Sequence, residues 1–300
     1  MRILHIDTGA EMRGGQYQVM LLLNGLRERG AESVLLAREN APLWRAAKAA
    51  GHLVAPASAI ELWKRSRQSD IVHAHDATAH TLAAIASRRH FVVSRRVAFP
   101  IKRTALSRWK YSRAEAYLAV SRHVADELVK AHVPRNRIAV VYDGVVPVPA
   151  TEDWQPTHPI VALESADPGK LGALAADAAR LAGVEINFAT DVPASLRRAS
   201  ALLYLSRSEG LGSGALLAMN VGVPVIASQV GGLAEIFVHG VSGLYVRNDV
   251  EEIATAIRTL LDNRELALRL REGGIARITE RFSAEQMVSD TLRVYERAIG

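Results

Sequence analysis

The 300-residue sequence contains no cysteine. Disulfide staples, thiolate nucleophiles and Cys-ligated metal centres are therefore excluded, and the composition suits a reducing compartment. Aromatic residues are scarce, at 5%, so any core must be built mainly from Ala, Leu and Val. No apolar run approaches the ~20 residues that cross a bilayer. The opening Arg2-Ile3-Leu4-His5-Ile6-Asp7 reads as a first strand and not as a secretory leader, so the expectation is a cytoplasmic protein, at most peripheral at the inner face of a membrane. What is present is a chain 49% hydrophobic, long enough for one large or two medium domains. Its net charge of +6 favours anionic partners.

That positive charge is concentrated. Arg88, Arg89, Arg95, Arg96, Lys102, Arg103, Arg108, Lys110 and Arg113 follow one another with no acidic residue between them, interleaved with Phe91, Phe99, Trp109 and Tyr111. A solvated helix face is one reading of such a run. A patch for a phosphorylated or membrane-embedded acceptor, or for an anionic membrane surface, is another. Nucleic acid is not expected as a partner, because no nucleic-acid-binding module accompanies the charge.

Short apolar runs alternate with amphipathic helical patterns, the mark of βαβ units and parallel sheets. Strands are predicted at 3–7, 33–37, 71–74, 91–94, 116–120 and 138–142, with helices at 16–29, 43–50, 77–88, 105–112 and 122–131. Ser121 is placed to cap the last of these. Four prolines (Pro147, Pro149, Pro156 and Pro159) then interrupt all periodicity, as a linker would. Beyond it, strands are predicted at 160–163, 185–189, 201–205 and 224–227, and helices at 169–181, 193–198, 215–220, 250–261, 264–281 and 283–298. The expected division is a first Rossmann-like domain over 1–146, a linker over 147–158, a second domain over 159–282, and a terminal helix over 283–300.

The richest stretch runs from Leu205 to Glu235. Glu209-Gly210-Leu211-Gly212-Ser213-Gly214 leaves a buried strand and opens a short helix, and Gly231-Gly232 forms a second turn. Residues without bulk let backbone approach a ligand, and the free N–H groups of a helix start suit an anionic phosphate. Glu209 can accept hydrogen bonds from sugar hydroxyls. An ordinary strand–turn–helix crossover would also use such glycines.

Ser206, Glu209-Gly210, Gly212, Ala218-Met219, Gly222, Pro224-Val225, Ala227-Ser228, Gly231-Gly232 and Glu235 fall in one register that resembles glycosyltransferase family 4, the retaining group with the GT-B fold. The resemblance implies two Rossmann-like domains facing across a cleft, and a last helix that crosses back to the first domain. Two departures stand out. The second glutamate of the family signature is replaced by Leu217, which cannot accept hydrogen bonds from ribose hydroxyls. A ribose hydroxyl buried without a partner costs about 1–3 kcal/mol. The second domain also looks reduced, with a single helix between Lys170 and Glu185.

Further positions take their meaning from the resemblance. Gly14-Gly15 would open the first helix toward the donor diphosphate. Lys170 would grip the donor phosphates with the amides of Gly212, Ser213 and Gly214. By the resemblance, Arg95 and Arg96 would stand near the reacting sugar, where their forked donors would suit a negatively charged acceptor. The string around Ser94-Arg95-Arg96 is similar to a subgroup tied to polysaccharide and lipopolysaccharide assembly. His73, His75 and Asp76 at a strand end are read as residues lining the cleft and not as metal ligands. The expectation is a metal-independent transferase with Glu209, Arg95 and Arg96 as its reactive-site side chains and no permanently bound cofactor. Its co-substrate would be a nucleotide-sugar donor, a UDP-sugar first and a GDP-sugar second, and its acceptor a glycan or lipid-linked molecule. The rival reading is an impaired member acting as a binding or scaffold protein.

Overall fold

The computed structural model describes residues 1–102, 104–150, 153–165 and 167–300. Arg103 of the basic run, and Thr151 and Glu152 of the expected linker, lie outside the described residues. The chain forms two compact units, one of residues 1–144 with 284–300 and one of residues 145–283.

The first unit alternates β1 (Arg2–Asp7), α1 (Gly14–Glu28), β2 (Glu32–Ala37), α2 (Pro42–Ala49), β3 (Leu53–Pro56), α3 (Ala59–Ser66) and β4 (Ile71–Ala74). It continues with α4 (Ala77–Ala86), β5 (Phe91–Arg95), α5 (Ala105–Ser112), β6 (Ala116–Ala119), α6 (Arg122–Lys130) and β7 (Ile138–Val140). The seven strands pair in the order β3-β2-β1-β4-β5-β6-β7, all parallel. The order reverses between β1 and β4, and open α/β sheets bind ligands at such a switch point, beyond the carboxyl ends of the strands. Short polar side chains start the helices there: Asp76 accepts from the amides of Thr78 and Ala79 at 2.8 and 2.9 Å, and Ser121 from Val124 at 3.1 Å.

The second unit runs through β8 (Ile160–Leu163), α7 (Gly172–Ala182), β9 (Ile186–Ala189), α8 (Val192–Leu196), β10 (Ala201–Tyr204), α9 (Ser213–Asn220) and β11 (Val225–Ser228), then β12 (Leu244–Val246), α10 (Val250–Asp262) and α11 (Arg264–Arg281). Its five strands, again parallel, pair in the order β12-β11-β10-β8-β9. The switch point lies between β8 and β10, and a single strand, β9, lies outboard of it. The core of this unit packs Ile160, Leu203, Ile226, Ile253, Ile257 and Leu270 between sheet and helices.

The terminal helix α12 (Ala284–Ile299) belongs to the first unit. Val288, Val294 and Tyr295 join Ile3, Leu22, Ile71 and Val92 in its core. Each such side chain, fully buried, contributes about 1.5–3 kcal/mol. Gly25 of α1 lets the two helices touch, since a Cβ there would lie 2.6 Å from Val288 Cγ2.

Three short elements differ from the predicted pattern: β3, α3 and β12. β3 and β12 are edge strands of four and three residues. Leu53 of β3 is largely exposed, so neither alternation nor a buried apolar run marks that strand.

Candidate active site

In the second unit, the loops that leave the carboxyl ends of β8 and β10 meet. The amide of Arg207 donates to the carbonyl of Gly169 at 2.9 Å, tying the loop after β10 to the turn that carries Lys170. The Glu209 carbonyl accepts from Gly232 at 2.9 Å, which brings in the second glycine turn. Buried Ser228 donates to Asn248 Oδ1 at 2.6 Å and accepts from the amide of Ser206 at 3.0 Å, while Asn248 donates to the Ser206 carbonyl at 3.1 Å. This lattice holds the loop on which Glu209 is carried.

Lys170 and Glu209 form an ion pair, their side chains 24% and 12% exposed. Lys170 Nζ also lies 3.3 Å from the Tyr204 hydroxyl and 5.0 Å from the centre of its ring. Burial, and then the neighbouring Glu209 carboxylate, push the Tyr204 phenol well above its ordinary range, so it stays a neutral donor. A ligand anion that takes Lys170 would leave the Glu209 carboxylate free for other donors. Tyr204 was not among the predicted site residues. In the sequence it is one more buried strand residue, and nothing marks it as the floor of the pair.

Gly212 and Gly214 turn out to be required by packing. Gly212 has φ +119°, and a Cβ there would lie 2.8 Å from Leu233 Cδ1. A Cβ on Gly214 would lie 2.8 Å from Tyr204 Cε2 and 3.2 Å from Leu163 Cδ1. Gly212 caps α9, so the first amides of that helix, at Ser213 and Gly214, have no intrahelical acceptor. All of α9 is buried except Ser213 and Leu217, which are partly exposed and sit four residues apart on one face. The position where the family signature carries its second glutamate is thus on the open face of the helix.

In the first unit, the loop from β1 to α1 is strapped down at the switch point. Thr8 donates its hydroxyl to Asp76 at 2.9 Å, Gly9 N donates to Asp7 Oδ1 at 2.9 Å, and Gln16 Nε2 donates to the same oxygen at 3.0 Å. Burial raises the pKa of Asp7 against these hydrogen bonds. Gly14 and Gly15 start α1 as expected, and the open side of Gly15 faces Arg96, whose Cδ would lie 3.9 Å from an added Cβ. Arg96 Nε donates to Asp143 Oδ1 at 3.0 Å, while its Nη1 is buried without a hydrogen-bond partner. Burial raises the Asp143 pKa, and the Arg96 charge opposes the rise.

Arg95 does something different from its neighbour. It donates to the Tyr111 hydroxyl at 3.0 Å and to the carbonyl of Phe99, so it braces the segment after β5. Gly15 and Arg96 are therefore brought together, and Arg95 is held by its own loop. Asp143, just beyond β7, is the partner of Arg96.

His73 and His75 are joined by His5, the register partner of His73. All three are buried, with ring nitrogens within 4.8 Å of one another. His73 has both nitrogens engaged, by Tyr295 Oη at 2.6 Å and Ser94 Oγ at 2.8 Å, and His5 and His75 bond to each other at 3.0 Å. Burial drives all three pKa values down, to about 3 for His5.

The profile for Glycosyltransferase Family 4 matches residues 12–147, and that for Glycosyl transferases group 1 matches residues 182–277. An uncharacterized glycosyltransferase of Methanocaldococcus jannaschii is 38% identical over 107 residues, 35% of this chain and 30% of that protein. The lipopolysaccharide core biosynthesis mannosyltransferase LpsB of Rhizobium meliloti is 31% identical over 110 residues, 36% of this chain and 31% of its own. The chain therefore matches about a third of the length of these relatives. Anabaena HepE, solved with UDP and glucose, superposes with a TM-score of 0.86 at 16% identity over 99% of both chains. The apo form of the lipopolysaccharide outer core galactosyltransferase WaaB does so with a TM-score of 0.71 at 17% identity, over 99% of this chain and 99% of its own. These likenesses establish a GT-B fold of two parallel-sheet units. With one family profile on each half of the sequence and that fold over its whole length, the chain belongs to glycosyltransferase family 4, group 1.

Proposed function

We propose that the protein is a retaining glycosyltransferase that moves a sugar from a nucleotide-diphosphate donor to an acceptor of the cell-surface polysaccharide or lipopolysaccharide type. The observation that carries this reading is the Lys170–Glu209 pair at the switch point of the second unit, beside the first amides of α9, which have no intrahelical acceptor. Lys170 and the Ser213 and Gly214 amides would take the diphosphate, and Glu209, released from the lysine, would accept from the sugar hydroxyls. Charge that develops on the departing diphosphate is then met by a cation and fixed backbone dipoles, usually the largest catalytic term. That arrangement is our ground for proposing transfer without a divalent metal.

HepE was solved with UDP-glucose and with UDP, which supports a UDP-sugar as donor, with a GDP-sugar as second choice. The names of LpsB and WaaB support a lipopolysaccharide-type acceptor. Gly14, Gly15 and Arg96 would meet the acceptor in the first unit, with Arg95 shaping the loop beside them. Leu217 on the open face of α9 favours the second reading, a member that binds a partner and transfers little. The two part in one assay. The protein is incubated with a panel of UDP- and GDP-sugars and acceptor glycans, and released nucleotide and the anomeric proton are followed by NMR. Product with the donor's anomeric configuration, lost in Glu209→Ala, supports the enzyme; no turnover with any pair puts the binding protein ahead.

A further inference from the structure

The segment after β5 exposes apolar side chains that the fold does not use. Arg95 pins it from within through Tyr111 and Phe99, and Lys110 donates to the Ala77 carbonyl and to Thr81, each at 3.0 Å. Those anchors hold one side of α5 against α4, and no residue of α5 is buried. The outward side is set by helical spacing: Arg108, Ser112, Ala105, Trp109, Arg113 and Leu106 follow one another around the arc away from Ser107, Lys110 and Tyr111. Leu106 is 72% and Trp109 42% exposed, and Phe99 in the preceding loop 69%. Trp109 thus lies near the middle of the arc and Leu106 at one end, with Arg113 between them, Arg108 at the other end and Lys102 exposed in the loop before the helix. No acidic residue interrupts the sequence from Arg88 to Arg113.

We infer that this face is a docking surface for an anionic lipid bilayer. A solvated surface needs no exposed Leu106, Trp109 and Phe99 among its cations, and a nucleic-acid surface has no use for Leu106 pointing into water. An interfacial helix needs both features: apolar side chains that enter the headgroup boundary and cations that stay at the phosphates. Tryptophan suits that boundary, with an apolar ring and one N–H donor. α5 has only two turns, so binding is reversible and depends on charge. Among the described residues no helix is long and apolar enough to cross a membrane. Contact through this face would leave the protein on one side of the bilayer. The inference does not depend on the proposed transfer reaction.

The test is co-sedimentation of the full-length protein with vesicles of phosphatidylcholine alone and of equimolar phosphatidylcholine and phosphatidylglycerol, with tryptophan emission read in parallel. Binding to the anionic vesicles is expected, with a blue shift that disappears in Trp109→Phe and an affinity that falls with salt. Arg108→Ala with Arg113→Ala should weaken partition about thirtyfold, at roughly fivefold per cation. Leu106→Glu with Trp109→Glu should abolish it. All four positions are exposed, and an unchanged melting temperature shows that the variants fold. Equal partition onto neutral vesicles, undiminished binding by either double variant, or retention of a soluble anionic glycan or single-stranded DNA in place of vesicles would overturn the inference.

Discussion

Acid should unfold the first unit well before carboxylate protonation alone would. His5, His73, His75 and His80 are buried there, and burial lowers each pKa, to about 3 for His5 and His80. Charged neighbours deepen the shifts: His52 acts on His5, Arg96 on His73 and His75, and Lys110 on His80. An unfolded histidine titrates near 6.5, so below that pH the unfolded chain binds protons that the folded unit refuses. Stability therefore rises with pH and is lost as pH falls through 6.5. At about pH 5.5 each histidine held neutral costs on the order of 1 kcal/mol, and the four together several kcal/mol. Asp7 and Asp143 act the other way, because their raised pKa values let the folded state take up protons first, and they offset part of the loss.

The remainder is comparable with the whole stability of a small domain, about 5–15 kcal/mol. The assay is urea unfolding between pH 7.5 and 5.5 in a Trp154→Phe background, which leaves tryptophans only in the first unit at Trp44, Trp63 and Trp109. The midpoint should drop steeply below pH 6.5. In His80→Phe the slope should fall by about a quarter. A midpoint flat across that range would refute the claim that these imidazoles are held neutral.

Gly214→Ala should destabilise the second unit by about 1–3 kcal/mol, because its methyl would meet Tyr204 and Leu163 at short range. A melting temperature equal to the parent's would show that the close fit is illusory. Arg96→Ala strands Asp143 in a buried site and should cost about 3–5 kcal/mol, much of it recovered by adding Asp143→Asn; denaturant titration of the single and double variants decides this. Glu209→Gln releases Lys170, so affinity for UDP should hold or rise while sugar transfer falls about 10²–10³-fold. Parallel loss of both would mean that the carboxylate does not act on the sugar.

Apart from β3, α3 and β12, the strands and helices of both units were legible because each is either a short apolar run or an amphipathic repeat. β1, β4, α5 and α11 lie at or near their predicted bounds. What could not be read was set by partners distant in sequence. His5 joins His73 and His75 only through the pairing of β1 with β4, and Tyr295 reaches His73 from a helix 222 residues away. Gly212 and Gly214 were visible as a turn, but the reason they must be glycine, the ring of Tyr204 and the side chain of Leu233, exists only once β10 and α9 have packed. Arg95 and Arg96 are adjacent and chemically identical in sequence. Arg95 ends β5 and turns to Tyr111, while Arg96, just beyond the strand, turns to Asp143, so only one of them stands beside Gly15.

The most direct test of the proposed donor site is calorimetric titration of the protein with UDP, GDP and their sugar conjugates. Saturable binding of at least one nucleotide is expected, weakened more than tenfold by Lys170→Met. Absence of heat with every nucleotide, or an affinity that Lys170→Met leaves untouched, would contradict it.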